Sequence, residues 1–207
     1  MATYKDLVGS YVNATKAELE IKSMIAASPR NIVKFPAFLT DISQDFKSTW
    51  NTETVYGRND PLATFQGTVR TISLAWDVPS LNTQDAKNNH VKFSRLITFL
   101  YPAYLHEQGE ESTDQSKPRT IQAKSPLVKV KFANIIQAQD GEGLLGWIDG
   151  INWKPSLDLG MFSDGANFYA KHVQLSFTLN VLHQKDIGFD QNGKWMGSRR
   201  KFPFRLD

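Results

Sequence analysis

From Tyr169 to Val181 apolar and polar side chains take turns along the chain. Val173, Leu175, Phe177, Leu179 and Val181 share one parity, and His172, Gln174, Ser176, Thr178 and Asn180 share the other. A period of two puts the two sets on opposite faces of a strand, one facing a core and one facing water. A strand usually runs three to ten residues, so an alternation of thirteen predicts one that crosses a whole sandwich or barrel. Such a strand needs antiparallel neighbours, because only an antiparallel sheet commonly keeps one wet face.

Other segments supply them. Thr68 to Val78 alternates in the same way, with Ile72, Leu74, Trp76 and Val78 against Thr71, Ser73, Ala75 and Asp77. Asp45 to Tyr56 is rich in Thr, Trp, Val and Tyr, and Gly57-Arg58-Asn59-Asp60-Pro61 reads as a turn. Ile32 to Ile42 contains Pro36, which predicts an edge or bent strand. Leu127 to Ile136 points Val128, Val130 and Phe132 inward and Lys129 and Lys131 outward; Leu145 to Trp153 reads as a further short strand, and Pro155 to Gly165 as irregular. Between the strands, Asn82 can cap a helix over about 83–101, with Phe93, Leu96, Ile97 and Leu100 on one side and Pro102 closing it.

The flanks read differently. Tyr4, Leu7, Val8, Tyr11 and Val12 recur at helical spacing, Thr15-Lys16-Ala17-Glu18 has the form of a capping box, and Pro29 ends the segment. Residues 1–30 are therefore expected to be an N-terminal helical arm. Residues 106–126 are polar and charged and predict a long mobile loop. Beyond His183 the chain is rich in Gly and basic residues, so 190–207 is expected to be an extended basic arm. The resulting organisation is arm 1–30, β domain 31–189 and arm 190–207: a mainly β (α+β) chain forming an antiparallel β-sandwich or barrel with one packed α-helix.

Several function classes find no support. The chain has no cysteine, which removes disulfides, thiol nucleophiles and thiolate metal sites. No apolar run approaches the ~18 residues of a membrane span, and Met1 to Asp6 lacks a signal-peptide layout. A soluble product used without passing a secretion pathway is expected. The net charge is only +3, with Lys194, Arg199, Arg200, Lys201 and Arg205 concentrated at the end, which suits a solvated or partner-docking tail better than a nucleic-acid face. His90, His106, His172 and His183 lack the spacing of a metal site. Gly141-Glu142-Gly143-Leu144-Leu145-Gly146 fits G-x-G-x-x-G literally, yet strands flank it on both sides where a dinucleotide site needs a helix. There is no nucleophile elbow, P-loop, calcium loop or paired-carboxylate signature. No catalytic, cofactor or metal residue is assigned. Trp50, Trp76, Trp147 and Trp153 fall in strand patterns and are expected in the core, while Trp195 in the basic tail is a candidate partner anchor.

The order of strands, one helix, a polar loop and a long alternating strand resembles the tail-tube fold of bacteriophages and related contractile injection machines. The residues carrying the likeness are Val55 to Pro61, Arg70 to Pro79, Leu100-Tyr101-Pro102, Val128 to Ile136 and Tyr169 to His183, within a span of roughly 31–189. They resemble small baseplate proteins of the tube-initiator (hub) kind. That resemblance implies a non-enzymatic structural virion protein, made in the bacterial host cytoplasm. It also implies a hexameric ring around a central channel, with other baseplate, hub and tail-tube proteins as partners. Phage DNA would be only a passing molecule, and no membrane insertion is expected. Thr49, Asn51, Glu53, Thr71 and Ser73 become channel-lining candidates; Arg58, Asp60, Pro61, Trp195, Arg199, Arg200, Phe202 and Phe204 become inter-subunit or partner contacts. A tail terminator, neck ring or hub–wedge adaptor is an alternative within the same class. A carbohydrate- or peptidoglycan-binding β-sandwich using Trp147, Trp153 and Trp195, and a nucleic-acid binder using the basic tail, are alternatives outside it.

Overall fold

The computed structural model describes residues 18–36, 38–107, 119–197 and 202–204. The apolar/polar alternations become strands and the amphipathic stretch after Asn82 becomes a helix. In chain order these are β1 (Glu18–Ser23), β2 (Ile32–Pro36), β3 (Phe38–Glu53), β4 (Leu62–Pro79), α1 (Thr83–Thr98), β5 (Ala103–Glu107), β6 (Arg119–Lys124), β7 (Val128–Phe132), β8 (Leu144–Pro155), β9 (Met161–Asp164), β10 (Asn167–Ala170) and β11 (His172–Val181). Seven strands form one antiparallel sheet in the order β2-β1-β7-β8-β11-β4-β3. The pairs β5–β6 and β9–β10 form separate two-stranded hairpins. The fold is therefore mainly β and antiparallel, with one α-helix among the described residues.

Chain connectivity forces the large sheet to curl. β2 and β3 are its two outermost strands, yet only residue 37 separates Pro36 from Phe38. Two Cα steps span less than about 8 Å, so the opposite edges meet at that corner. The interior agrees. The ring of Phe35 in β2 lies 5.6 Å from that of Trp76 in β4, although four strands intervene along the sheet. In a flat sheet those strands would stand about 24 Å apart.

Curling lets the sheet bury one face against itself. Leu19, Ile21, Val33, Phe35, Ile72, Leu74, Trp76, Val130, Leu175, Phe177 and Leu179 fill the interior. Trp76 sits at its centre, edge-on to Phe177 with centroids 5.4 Å apart. Helix α1 closes the open side: Phe93 stacks on Phe35 at 6.1 Å, and Ala86, Leu96 and Phe99 are buried with it. The Asn82 side chain accepts a 2.8 Å hydrogen bond from the Asp85 backbone N–H, capping the helix as its sequence predicts. Lys87 pairs with Asp164, tying α1 to the β9–β10 hairpin.

Several local expectations need correction. Residues 18–23 are a strand, not part of a helical arm: Leu19, Ile21 and Ser23 are buried, and β1 pairs with both β2 and β7. The period of two in Glu18-Leu19-Glu20-Ile21-Lys22-Ser23, satisfied by a ladder on each side, outweighs the capping pattern before it. Residues 24–30, also expected to be helical, are bends and a turn leading to β2, and the rest of the expected arm, residues 1–17, lies outside the described residues. The loop expected over 106–126 is partly strand: residues 106–107 belong to β5 and 119–124 to β6, which pair with each other, and 108–118 lies outside the described residues. The long alternation at 169–181 divides at Lys171, whose carbonyl accepts a hydrogen bond from Ser80 N–H. Upstream of it β10 turns to pair with β9, which occupies part of the segment read as irregular. β8 is longer than expected, at twelve residues. Helix α1 ends at Thr98, before Pro102, with its last turn tightened by bonds from Phe99 N–H to Leu96 O and Leu100 N–H to Ile97 O. Residues 190–197 are not extended: Asp190 accepts from the backbone of Asn192 and Lys194 in a tight turn, and Phe189 bridges to Trp195.

Gly146 has the tightest surroundings of the described glycines, where β8 lies between β7 and β11. A Cβ there would run into the carbonyl oxygen of Asn180, whereas one on Gly150 in the same strand would meet nothing within 4 Å. We expect Gly146→Ala to cost about 1–3 kcal/mol, the range of an overpacked interior, and Gly150→Ala to stay within about 0.5 kcal/mol of wild type. Urea denaturation of both variants checks this; equal midpoints would refute the close-packed reading.

Candidate functional site

β3 and β4 are the longest strands, and they outrun the rest of the sheet. β11 stops pairing with β4 at the rung Asn180↔Thr71. From Phe46↔Arg70 to Glu53↔Leu62 the two strands therefore continue as a two-stranded ribbon. Val55 to Pro61 forms its exposed tip, with Arg58 N–H donating to the Val55 carbonyl at 3.2 Å. Arg58, Asp60 and Pro61 all lie there, and among the described residues Arg58 and Asp60 form no ion pair.

Alternation gives the ribbon two chemically different faces. One continues the core face and carries Phe46, Ser48 and Trp50 opposite Arg70, Thr68 and Phe65. Trp50 meets Phe65 edge-on at 5.2 Å while remaining 55% exposed, so the pair is a partly uncovered aromatic clasp. The other carries Thr49, Asn51 and Glu53 and continues into the body through Asp45↔Thr71 and Ser43↔Ser73. The five channel-lining candidates thus share one polar face. Side-chain hydrogen bonds run across it: Thr71 donates to Asn180 (3.4 Å), Ser73 bonds Thr178 (3.4 Å), and Asn180 donates to Asp149 (2.6 Å). A shallow groove of about 530 Å³ follows Asp41, Ser73, Ala75, Asn152, Ser176 and Thr178. Among charged residues on this part of the sheet, Asp41, Asp45, Glu53, Asp77 and Asp149 outnumber Lys47 and Lys154.

Where the ribbon leaves the body sits a group the sequence reading did not single out. Arg70, only 1% exposed, occupies a core-facing position of β4. Its Nη2 and Nε donate to Gln44 Oε1 at 2.6 and 3.2 Å, and Nη2 also donates to the Pro203 carbonyl at 3.3 Å. The rings of Phe46 and Phe202 lie 5.3 and 5.9 Å from its guanidinium carbon. Burial lowers its pKa to about 10, well above neutrality, so it remains charged. The available signal was a charged side chain at an inward parity, in line with Ile72, Leu74 and Trp76.

The C-terminal candidates converge on this cluster. Phe202 packs against Phe46 (6.3 Å), Trp195 (5.8 Å) and His183 (6.0 Å), and Trp195 also meets Phe189 at 5.1 Å. Phe204 is exposed, and Arg199 and Arg200 lie outside the described residues. Trp195 and Phe202 thus hold the chain's own end against its body.

The tryptophans otherwise depart from expectation. Trp76 is core, but Trp50, Trp147 and Trp153 are not, the last two being 40% and 41% exposed. Trp147 pairs with Asn180 and Trp153 with Leu175, so they lie on opposite faces of the sheet and form no common stacking platform. A register shift between the Phe177 and Leu179 rungs reverses the parity between them. The glycine pattern at 141–146 leads into β8 and not into a helix. Among the described residues, no three His, Asp, Glu or Cys side chains come together as a metal site would require, and no helix is long and apolar enough to cross a membrane.

No family model matches the chain, and no curated protein matches it. Among solved structures it is similar to a chain of the "Cryo-EM structure of the anti-feeding prophage (AFP) baseplate, 6-fold symmetrised", with a TM-score of 0.29 and 8% sequence identity, over 78% of this chain and 87% of that one.

His183 gives the cluster a pH signature. Burial, and then the charge of Arg70, lower its pKa below the usual 6.5. A base whose folded pKa is depressed binds fewer protons when folded, so its stabilising contribution is complete above 6.5 and is lost as pH falls from 6.5 through the folded pKa. Much of the side chain faces solvent, which screens the effect. Stability is expected to decline modestly as pH falls below 6.5, and His183→Gln should flatten that decline; matched pH series of urea midpoints for the two proteins would decide it.

Proposed function

We propose that this protein is a structural subunit, and not an enzyme, of a phage tail baseplate, assembling as a ring that initiates or extends the tail tube around a central channel. The observation that carries this reading is the β3–β4 ribbon. A two-stranded ribbon is marginal alone in water, yet this one extends the body by the rungs from Phe46↔Arg70 to Glu53↔Leu62 and leaves Trp50 and Phe65 half uncovered. Its aromatic face suits a neighbouring subunit. Its polar face, acidic in balance, suits a wet channel that DNA crosses without being held. The outer edges of β2 and β3, unpaired among the described residues, supply further backbone for neighbours. The resemblance of residues 31–189 to tube-initiator proteins points the same way.

The mass in solution, measured alone and with candidate virion partners, tests the proposal. A ring, formed alone or on a partner, is the expected outcome. The double variant Trp50→Glu/Phe65→Glu should keep its fold, with stability within about 1 kcal/mol of wild type, and lose assembly. A strict monomer that no partner assembles would sink the ring, and a double variant that assembles normally would remove the ribbon from its contacts.

A further inference from the structure

Arg70 is the single charged side chain buried among the described residues, and none of those residues neutralises it. Every hydrogen bond it makes to a described residue goes to a neutral oxygen, of Gln44 or Pro203. No described carboxylate lies within ion-pair distance. Two aromatic faces offset part of the desolvation cost. Even so, a buried cation ordinarily has a charged partner, because removing it from water costs several kcal/mol.

Beside this group the structure holds a cavity of about 260 Å³, the first place such a partner would enter. Arg70, His183 and Phe202 line it together with Gln137, Leu182 and Ile187. Lys185 and Asp140 complete its charged lining. Asp140 is engaged locally, accepting the Glu142 backbone N–H at 3.0 Å. His183 is held towards its neutral form by burial and by Arg70. With Arg70 and Lys185 positive and Asp140 negative, the lining carries one positive charge in excess.

We propose that this cavity is a carboxylate-binding site in which the Arg70 guanidinium supplies the counter-charge. Nε and Nη2 are engaged by Gln44 and Pro203, which leaves Nη1 to give a charge-assisted hydrogen bond to a carboxylate oxygen. One buried cation with a nearby aspartate suits a single negative charge better than a doubly charged phosphate. The aliphatic walls of Leu182 and Ile187 suit a carboxylate on a short hydrocarbon stem, which is the chemistry of a glutamate side chain and also of a free aliphatic diacid. The site stands apart from the ribbon contacts proposed above, so either proposal can fail without the other.

The test uses the intact chain and reads the Arg70 Nε–H and His183 imidazole signals by NMR at constant ionic strength. Sodium acetate is expected to shift both saturably, with a dissociation constant on the order of millimolar, whereas acetamide, its neutral isostere, leaves them unmoved. Arg70→Gln should weaken acetate binding at least tenfold. Should that variant fail to fold, the acetate-against-acetamide comparison on the unaltered protein still decides the question. N-acetyl-glutamate methylamide and glutarate then separate the sources: tighter binding of the first assigns the site to an acidic side chain of another polypeptide, and tighter binding of the second to a free diacid. No saturable shift with acetate, or equal shifts with acetate and acetamide, would overturn the proposal.

Discussion

The contact between Phe35 and Trp76 joins the first strand of the sheet order to the sixth, and the rest of the architecture depends on that closure. A single sheet has no partner layer, so its apolar face must be covered by its own curvature and by whatever plugs the open side. Residue 37 ties the two edges at one corner, Trp76 fills the middle, and Phe93 of α1 stacks on Phe35 from outside. Dense packing accompanies the curl. Gly146 has no room for a methyl group, and the indole N–H of Trp76 finds no hydrogen-bond partner among the described residues. An unmet buried donor costs about 1–3 kcal/mol, so this position places shape and apolar area above polar satisfaction.

Closure also determines where the sheet stops being a core. Along the inward parity of β4, Val78, Trp76, Leu74 and Ile72 are buried beneath neighbouring strands, and Arg70 is the first such residue beyond the last rung with β11. Phe46 covers it from β3 and Phe202 from the C-terminal segment. Gln44 both accepts from Arg70 and donates to the Ile135 carbonyl at 3.4 Å, linking the guanidinium to the turn after β7. The residue at the mouth of the core is thus cationic, flanked by aromatics, and bonded to β3 and the C-terminal segment, with Gln44 relaying it to the turn after β7. Beyond it the same parity carries Thr68 and then Phe65, and burial ends.

Periodicity within a strand was legible; what depends on partners was not. The buried sets of β4 and β11, the N-cap at Asn82 and the turn at 57–61 follow directly from residue order. So does the shared parity of Thr49, Asn51 and Glu53, although their alignment with Thr71 and Ser73 needed the β3–β4 register. Leu19 and Ile21 are only two apolar residues, too few to outvote the Thr15–Glu18 capping pattern until β2 and β7 are seen on either side. The interruption at Lys171 is made by Ser80, ninety-one positions away, and leaves no local trace. The parity reversal between Trp147 and Trp153 comes from a bulge against β11, which no alternation pattern of β8 reveals. Arg70 was readable as a charge at an inward position, but its lack of an anionic neighbour among the described residues was not.

A sheet edge that is long and unpaired invites uncontrolled pairing unless charge or curvature blocks it. The outer edge of β3 runs from Phe38 to Glu53, and its polar parity carries Asp41, Asp45, Lys47 and Glu53. Those charges disfavour stacking of the polar face on an apolar surface while leaving the backbone free to pair. The aromatic parity of the ribbon, Phe46 and Trp50, has the opposite character. A partner that pairs with this edge and covers the aromatic face satisfies both, whereas non-specific association satisfies only one. In the proposed ring the same strand can therefore specify which surface a neighbour takes and which surface stays wet. That division of faces follows from a period of two carried past the end of the core.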